Sequence, residues 1–238
     1  MDDALKAKLD NYVVPQKARQ LILDTRVVFM VGISAAGKDT VRTKLLTDGK
    51  YHHIVSHTTR PPRANHGALE QDGHDYHFIS FETAEKMLDS GGYVEAKFFS
   101  GNIYGTSIAE IQMAHDEGKI AITDIEVQGV AEYKAIADSV VPIFLLPPDF
   151  DTWQKRLRGR YVDGQIDEED IKKRMQTAKV ELEEALEKSY FEYIVNKDID
   201  TTMQVVDEIA HGNFSSKKNE QAREVAQGLL DKLSSLKD

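Results

Sequence analysis

Between the apolar run Val27 to Val31 and a stretch of helical periodicity lies Gly32-Ile33-Ser34-Ala35-Ala36-Gly37-Lys38-Asp39-Thr40. A glycine-bearing turn from strand to helix exposes successive backbone N–H groups beside the positive end of a helix dipole, an arrangement that cradles phosphates. Lys38 then reaches the terminal phosphates as a point charge. Asp39 stands where a hydroxyl residue ordinarily meets Mg²⁺. A carboxylate there can hold the cation directly or through water, yet without it repels phosphate by up to ~4 kcal/mol at about 4 Å and an effective dielectric of about 20. Thr40 supplies the missing hydroxyl in this reading. The ligand-free alternative, a plain strand–turn–helix corner, leaves the lysine unexplained.

A second group is Ser56-His57-Thr58-Thr59-Arg60-Pro61-Pro62-Arg63. Two prolines favour polyproline II, whose three-residue turn sets Arg60 and Arg63 on one face as a clamp for a dianion. A third comprises Glu70, Asp75, Tyr76, Glu95, Tyr104, Thr106, Asp124 and Glu126. Guanine offers the N1–H and an exocyclic amino group beside its O6 acceptor, so carboxylates and a hydroxyl complement it; adenine would set an unprotonated N1 against a carboxylate. Tyrosines can hydrogen-bond a phosphate while their rings wall the pocket. The fourth group is Arg156, Arg158 and Arg160 with Arg174. Arg156 and Arg160, at i and i+4, share a helix face and can neutralise charge on a transferring phosphoryl group, unless they are spent on Asp167, Glu168, Glu169 and Asp170. Histidines crowd residues 52–77 without the helical pairing of a zinc site. The acid-rich Glu181 to Glu187 reads as a solvated helix face.

These groups need a scaffold, and 238 residues at 41% hydrophobic can build one. Strand-like runs at Val27 to Val31, Ile120 to Ile125, Val140 to Leu145 and Tyr193 to Val195 alternate with helical stretches, which predicts an α/β fold with a parallel sheet. Short strand pieces between about 52 and 107 predict an inserted subdomain, and Tyr161 to Asp167, between helices at Asp149 to Gly159 and Glu168 to Lys188, predicts a lid. Residues 1–25 read as helices broken near Pro15. Ala222, Val225, Ala226, Leu229, Leu230, Leu233 and Leu236 fall three or four apart on a C-terminal amphipathic helix interrupted only by Gly228, expected to dock on the body, with a homodimer or a partner as the alternative. A net charge of −10 disfavours nucleic acid, the lack of cysteine removes thiolate chemistry, and the absence of a long apolar run or a basic leader predicts a cytoplasmic chain with no membrane contact.

Taken in series, SHTTRPPR, EQDGHDYHF, GNIYGTS, DIEVQG, RLRGR and YIVNKD resemble the motifs of guanylate kinases over about residues 26–210. The resemblance implies an α/β core like that of P-loop NTP hydrolases, with a parallel sheet flanked by helices. It also implies a nucleoside-monophosphate-binding subdomain (about 52–107) and a lid (about 158–175), with 1–25 and 211–238 outside. It implies transfer of the γ-phosphoryl group of ATP to GMP, and to dGMP, with Mg²⁺. On that basis Gly32 to Thr40, with Arg156 and Asn196 by the adenosine, hold ATP. Arg60, Arg63, Tyr76 and Tyr104 take the GMP phosphate; Ser56, Glu95, Thr106 and Glu126 face guanine, with Glu70 assigned to the same nucleotide. Lys38, Arg63, Arg160 and Arg174 act on the transferring group, and Asp39, Thr40 and Asp124 meet Mg²⁺. Ala35 replaces a usual glycine, Asp39 a usual serine, and Glu126 a common aspartate. Two other readings stay open: a kinase for another acceptor such as ribose 1,5-bisphosphate or a deoxynucleotide, suggested by Asp39 after the lysine, and a non-catalytic guanylate-kinase-like interaction module.

Overall fold

The computed structural model describes residues 3–65, 68–161 and 166–236; His66 and the centre of the expected lid, 162–165, lie outside them. In chain order the first elements are α1 (Asp3–Asp10), α2 (Gln16–Asp24), β1 (Val27–Val31), α3 (Lys38–Leu46), β2 (Tyr51–His53) and β3 (His57–Thr58). Then come β4 (Ala64–Asn65), β5 (Ala68–Leu69), β6 (His77–Phe78), α4 (Phe81–Asp89), β7 (Tyr93–Phe99), β8 (Asn102–Ser107) and α5 (Ile108–Asp116). The remainder is β9 (Ile120–Asp124), α6 (Val127–Ile136), β10 (Val141–Leu146), α7 (Phe150–Arg158), α8 (Glu168–Leu186), β11 (Glu192–Val195), α9 (Ile199–Ala210) and α10 (Ser216–Ser235). The chain forms two compact units, 27–51 with 122–238 and 1–26 with 52–121.

The unit that begins at Val27 is built on a five-stranded sheet ordered β11-β10-β1-β9-β2, in which β1, β10 and β11 pair in parallel. Every residue of β1 and β10 is buried, which is why both read as unbroken apolar runs rather than alternating ones. This is the α/β class expected from the sequence. Two details differ. Helix α7 ends at Arg158 and is capped at Gly159, so Arg160 sits in the following turn and does not share a helix face with Arg156. Helix α10 runs through Gly228 without a break and buries Ala222, Ala226, Leu229 and Leu233. Asn219 fixes it to the edge strand: its Oδ1 accepts the Tyr193 N–H at 2.7 Å and its Nδ2 donates to Phe191 O at 3.3 Å.

The other unit carries a four-stranded sheet ordered β6-β3-β8-β7, a β7–β8 hairpin with a bulge between Tyr93 and Glu95, and the two-stranded ribbon β4–β5 in the long segment after Arg63. It is broader than the 52–107 subdomain expected. Leu5 and Leu9 of α1 share a core with Ala84, Leu88, Tyr93 and Ile103. Lys8 bridges Glu85 and Asp89, and the Tyr12 hydroxyl donates to Tyr93 O at 2.6 Å while accepting the Tyr93 N–H at 3.1 Å. The N-terminal helix is therefore part of this unit's core.

Candidate active site

The loop after β1 is shaped by steric exclusion. Gly32 has φ of 139° and packs so closely on β10 that a side chain would be driven into the Leu145 carbonyl oxygen. Gly37, at φ 100°, is crowded in the same way by the Asn196 amide. Ala35 holds φ at 63°, a left-handed conformation that favours glycine, so the substitution noted in the sequence is borne as backbone strain. Side chains from distant elements then tie the loop down. The buried Trp153 indole donates to Ser34 O at 2.8 Å. Asn196, 2% exposed, donates from Nδ2 to Ala36 O at 2.8 Å and accepts the Thr202 hydroxyl at 3.1 Å. Its amide is used inside the protein, so Asn196 is a strut of the loop. Trp153 was missed from sequence; its only signal was a lone indole on an apolar helix face.

Cations converge on this loop. The Lys38 ammonium donates to Gly32 O, and to Ile33 O at 3.4 Å. Arg160 and Arg174 both donate to the Ser34 hydroxyl, at 2.9 and 3.3 Å. Arg156 donates to Asn196 O at 3.1 Å. Arg158 pairs instead with Glu168 at 2.6 Å, as the plain reading of a salt-bridged helix expected for this group. Arg174 also pairs with Asp170, at 2.7 Å.

Beside the lysine, Arg42 links Asp39 (3.4 Å) and Asp124 (3.6 Å). Burial pushes Asp124 up to about 7, against the opposing pull of Arg42 and with Asp39 alongside adding to the rise. Its Oδ1 is buried without a hydrogen-bond partner. An orphaned carboxylate oxygen next to a second carboxylate suits a hard divalent cation. Among the described residues no three His, Asp or Glu side chains are arranged to hold a metal by themselves, so such an ion would complete its shell from phosphate oxygens and water. Thr40 lies exposed on the first turn of α3.

Glu126, at the N-cap of α6, lines a cavity of about 430 Å³ with Gln128, Thr177, Glu181 and Glu184. Glu181 is not the solvated surface acid expected. Burial pushes it up to about 7, Glu126 and Glu184 adding to the rise and Lys38 opposing it. The acidic run hides an amphipathic stripe, because residues three or four apart share a helix face and Ala178, Leu182 and Ala185 turn inward between the acids.

In the other unit the arginines divide. Arg60 is 6% exposed, forks onto Glu70 at 2.5 and 2.8 Å, and lies 4.8 Å above the Tyr76 ring. Glu70 also accepts the Arg63 backbone N–H at 2.8 Å, while the Arg63 side chain is exposed. Arg60 holds Glu70 below the usual carboxylate range. Glu70 thus serves as the counter-ion that fixes the Arg60-Pro-Pro-Arg63 turn. Tyr76 and Tyr104 meet edge to face with centroids 6.1 Å apart. On the hairpin, Glu95 and Thr106 are cross-strand partners, and the buried Thr106 hydroxyl donates to Glu95 Oε1 at 3.0 Å. Gly105 is obligatory between them, since a Cβ would lie 2.6 Å from Glu95 O and 2.9 Å from the Tyr93 ring. Ser56 is held through its carbonyl, which accepts the His77 N–H at 2.9 Å.

Residues 24–212 match the sequence profile of the family described as Guanylate kinase. The chain is 38% identical over 195 residues to a guanylate kinase of Schizosaccharomyces pombe, covering 81% of this chain and 93% of that one. To a guanylate kinase of Sus scrofa it is 35% identical over 175 residues, covering 73% and 85%. A crystal structure of guanylate kinase from Anaplasma phagocytophilum shares the fold, with a TM-score of 0.56 at 24% identity over 89% of this chain and 96% of that one. A phosphate-shaped loop ringed by cations, an arginine–tyrosine cluster and a carboxylate–hydroxyl pair thus occur in a chain that belongs to the guanylate kinase family.

Proposed function

We propose that this protein transfers the γ-phosphoryl group of ATP to the phosphate of GMP, and of dGMP, giving ADP and the nucleoside diphosphate. The observation that carries the reading is the placement of Arg160 and Arg174 on the Ser34 hydroxyl, within the same loop that curls round Lys38. In a chain of net charge −10, such local cationic density matches the charge spread over a transferring phosphoryl group, where positioning and electrostatics are most of the catalysis. Backbone N–H groups of Gly32 to Thr40 hold the donor phosphates. Arg63, whose side chain is exposed, takes the acceptor phosphate together with Tyr76 and Tyr104; Arg60, already paired, adds its remaining donors.

Glu95 and Thr106 are suited to guanine: the carboxylate accepts from N1–H and the amino group, and the Thr106 hydroxyl, on turning its proton away from Glu95 Oε1, donates to O6 or N7. A sugar-phosphate acceptor has no use for that pair, which favours the nucleotide. Ser56 is assigned to the same base; Glu126 and Arg156 keep the nucleotide-binding roles that the resemblance implies. Asp39 and Asp124 would hold Mg²⁺ with Thr40 near by; the ion supplies charge neutralisation on the β- and γ-oxygens when bound.

Incubating the protein with ATP, Mg²⁺ and GMP and separating nucleotides by anion exchange tests the reading. ADP and GDP should appear in equal amounts. A folded protein that forms neither from this mixture contradicts it.

A further inference from the structure

Glu110 belongs to the first turn of α5, is 4% exposed, and makes two contacts with main-chain consequences. Its Oε2 accepts the backbone N–H of Val55 at 2.8 Å, and its Oε1 lies 2.8 Å from His77 Nε2. Val55 directly precedes Ser56, and His77 directly follows Tyr76. The ring closes through the main chain, because the His77 N–H donates to Ser56 O at 2.9 Å. One carboxylate therefore pins both segments that carry acceptor-side groups. The direct ladder between the two segments is short: β3 and β6 pair through His57 with His77 and Thr58 with Phe78, while β8 holds β3 from its other side. Glu110 adds a tie at the start of both segments, where that ladder begins.

The surroundings fit an anchor. Burying a carboxylate costs several kcal/mol unless it is paired and hydrogen-bonded. Here both oxygens are engaged, and His52 Nε2 stands 3.8 Å from Oε2. His57, whose ring centroid is 4.6 Å from that of His77, is pushed down to about 4 by its own burial and so stays neutral against its neighbour.

We propose that Glu110 is a positioning residue for the acceptor nucleotide, holding Ser56 and Tyr76 in mutual register through Val55 and His77. This rests on the GMP-kinase reading above. The test compares Glu110→Asp and Glu110→Gln with the parent protein, measuring kcat and KM for GMP and for ATP separately, with thermal melts alongside. Aspartate keeps the charge but is one methylene too short to reach both anchors. It should raise KM for GMP about tenfold while KM for ATP stays within about twofold, a misplacement effect of ordinary size. Glutamine keeps the reach, its oxygen accepting from Val55 and its amide placed to bond His77 Nε2, and should return KM for GMP to within about threefold of the parent. An unchanged KM for GMP in Glu110→Asp overturns the proposal, even if the melting temperature falls. So does a parallel rise in both KM values. A parent protein that does not phosphorylate GMP defeats the underlying reading itself, which keeps the two failures distinct.

Discussion

In the phosphate loop, the groups offered to a ligand are main-chain amides, and their positions follow from where a Cβ cannot go: Gly32 against Leu145, Gly37 against Asn196. In the acceptor unit they are side chains, and their positions follow from pairing: Arg60 with Glu70, Glu95 with Thr106, Glu110 with Val55 and His77. The same contrast separates two glutamates, Glu110, which is buried, and Glu181, which is half-buried. Glu110 has both oxygens engaged, whereas Glu181 sits in a cavity among other acids and is pushed up to about 7. The main-chain cradle is thus positioned by excluded volume, and the side-chain clamp by the charge or hydrogen bond of a partner.

That contrast can be broken most directly at Gly32. Gly32→Ala forces the loop off the Leu145 carbonyl and should lower kcat/KM for ATP by at least about a hundredfold, roughly 2.7 kcal/mol of transition-state stabilisation. Steady-state kinetics with varied ATP would show it; a near-normal value would mean the loop is not set by exclusion. Next in size is Glu70→Ala, which leaves the buried Arg60 guanidinium without its counter-ion. Because the pair is partly exposed, the expected loss is about 2 kcal/mol in denaturant melts, below the range for fully buried pairs. KM for GMP should rise while KM for ATP holds; a rise in both would erase the distinction between the two regions.

Glu181 sharpens the comparison through pH. Its carboxyl binds a proton more tightly in the folded protein than at its ordinary value of 4.5, so this contribution to stability is complete below about 4.5 and is lost as the pH rises through about 7. Glu181→Gln should therefore raise the melting temperature by about 3 °C at pH 8 and change it little at pH 4.5. Equal shifts at both pH values would show that the acid is not buried as described. The smallest effect is expected at Ala35. Relief of the left-handed strain, about 1 kcal/mol, is partly offset by the extra freedom of glycine in the unfolded chain, so Ala35→Gly should stabilise by about 0.5 kcal/mol. A destabilised variant would contradict the strain.

The β1–loop–α3 corner was legible in the sequence because every feature that makes it is local: an apolar run, glycines at the turn, a lysine opening the helix. The parallel sheet was legible for the same reason, as alternating runs. What sequence could not supply were the partners. Asn196 meets Ala36 across 160 positions and Trp153 meets Ser34 across 119, and no spacing rule reaches that far. Glu70 was legible as important but not as the counter-ion of Arg60, since the nine residues between them include the β4–β5 ribbon, whose pairing no spacing rule gives. The N-terminal helix was visible, but its place in the core with Leu88 and Tyr93 was not.

The central claim is that Glu95 and Thr106, joined across the β7–β8 hairpin, read the edge of guanine. It is tested most directly by the kcat/KM of the protein for GMP, AMP, CMP and UMP, each with saturating ATP and Mg²⁺. A site built on hydrogen bonds to the base should prefer GMP over AMP by on the order of 10⁴. Equal values across the four acceptors would contradict it.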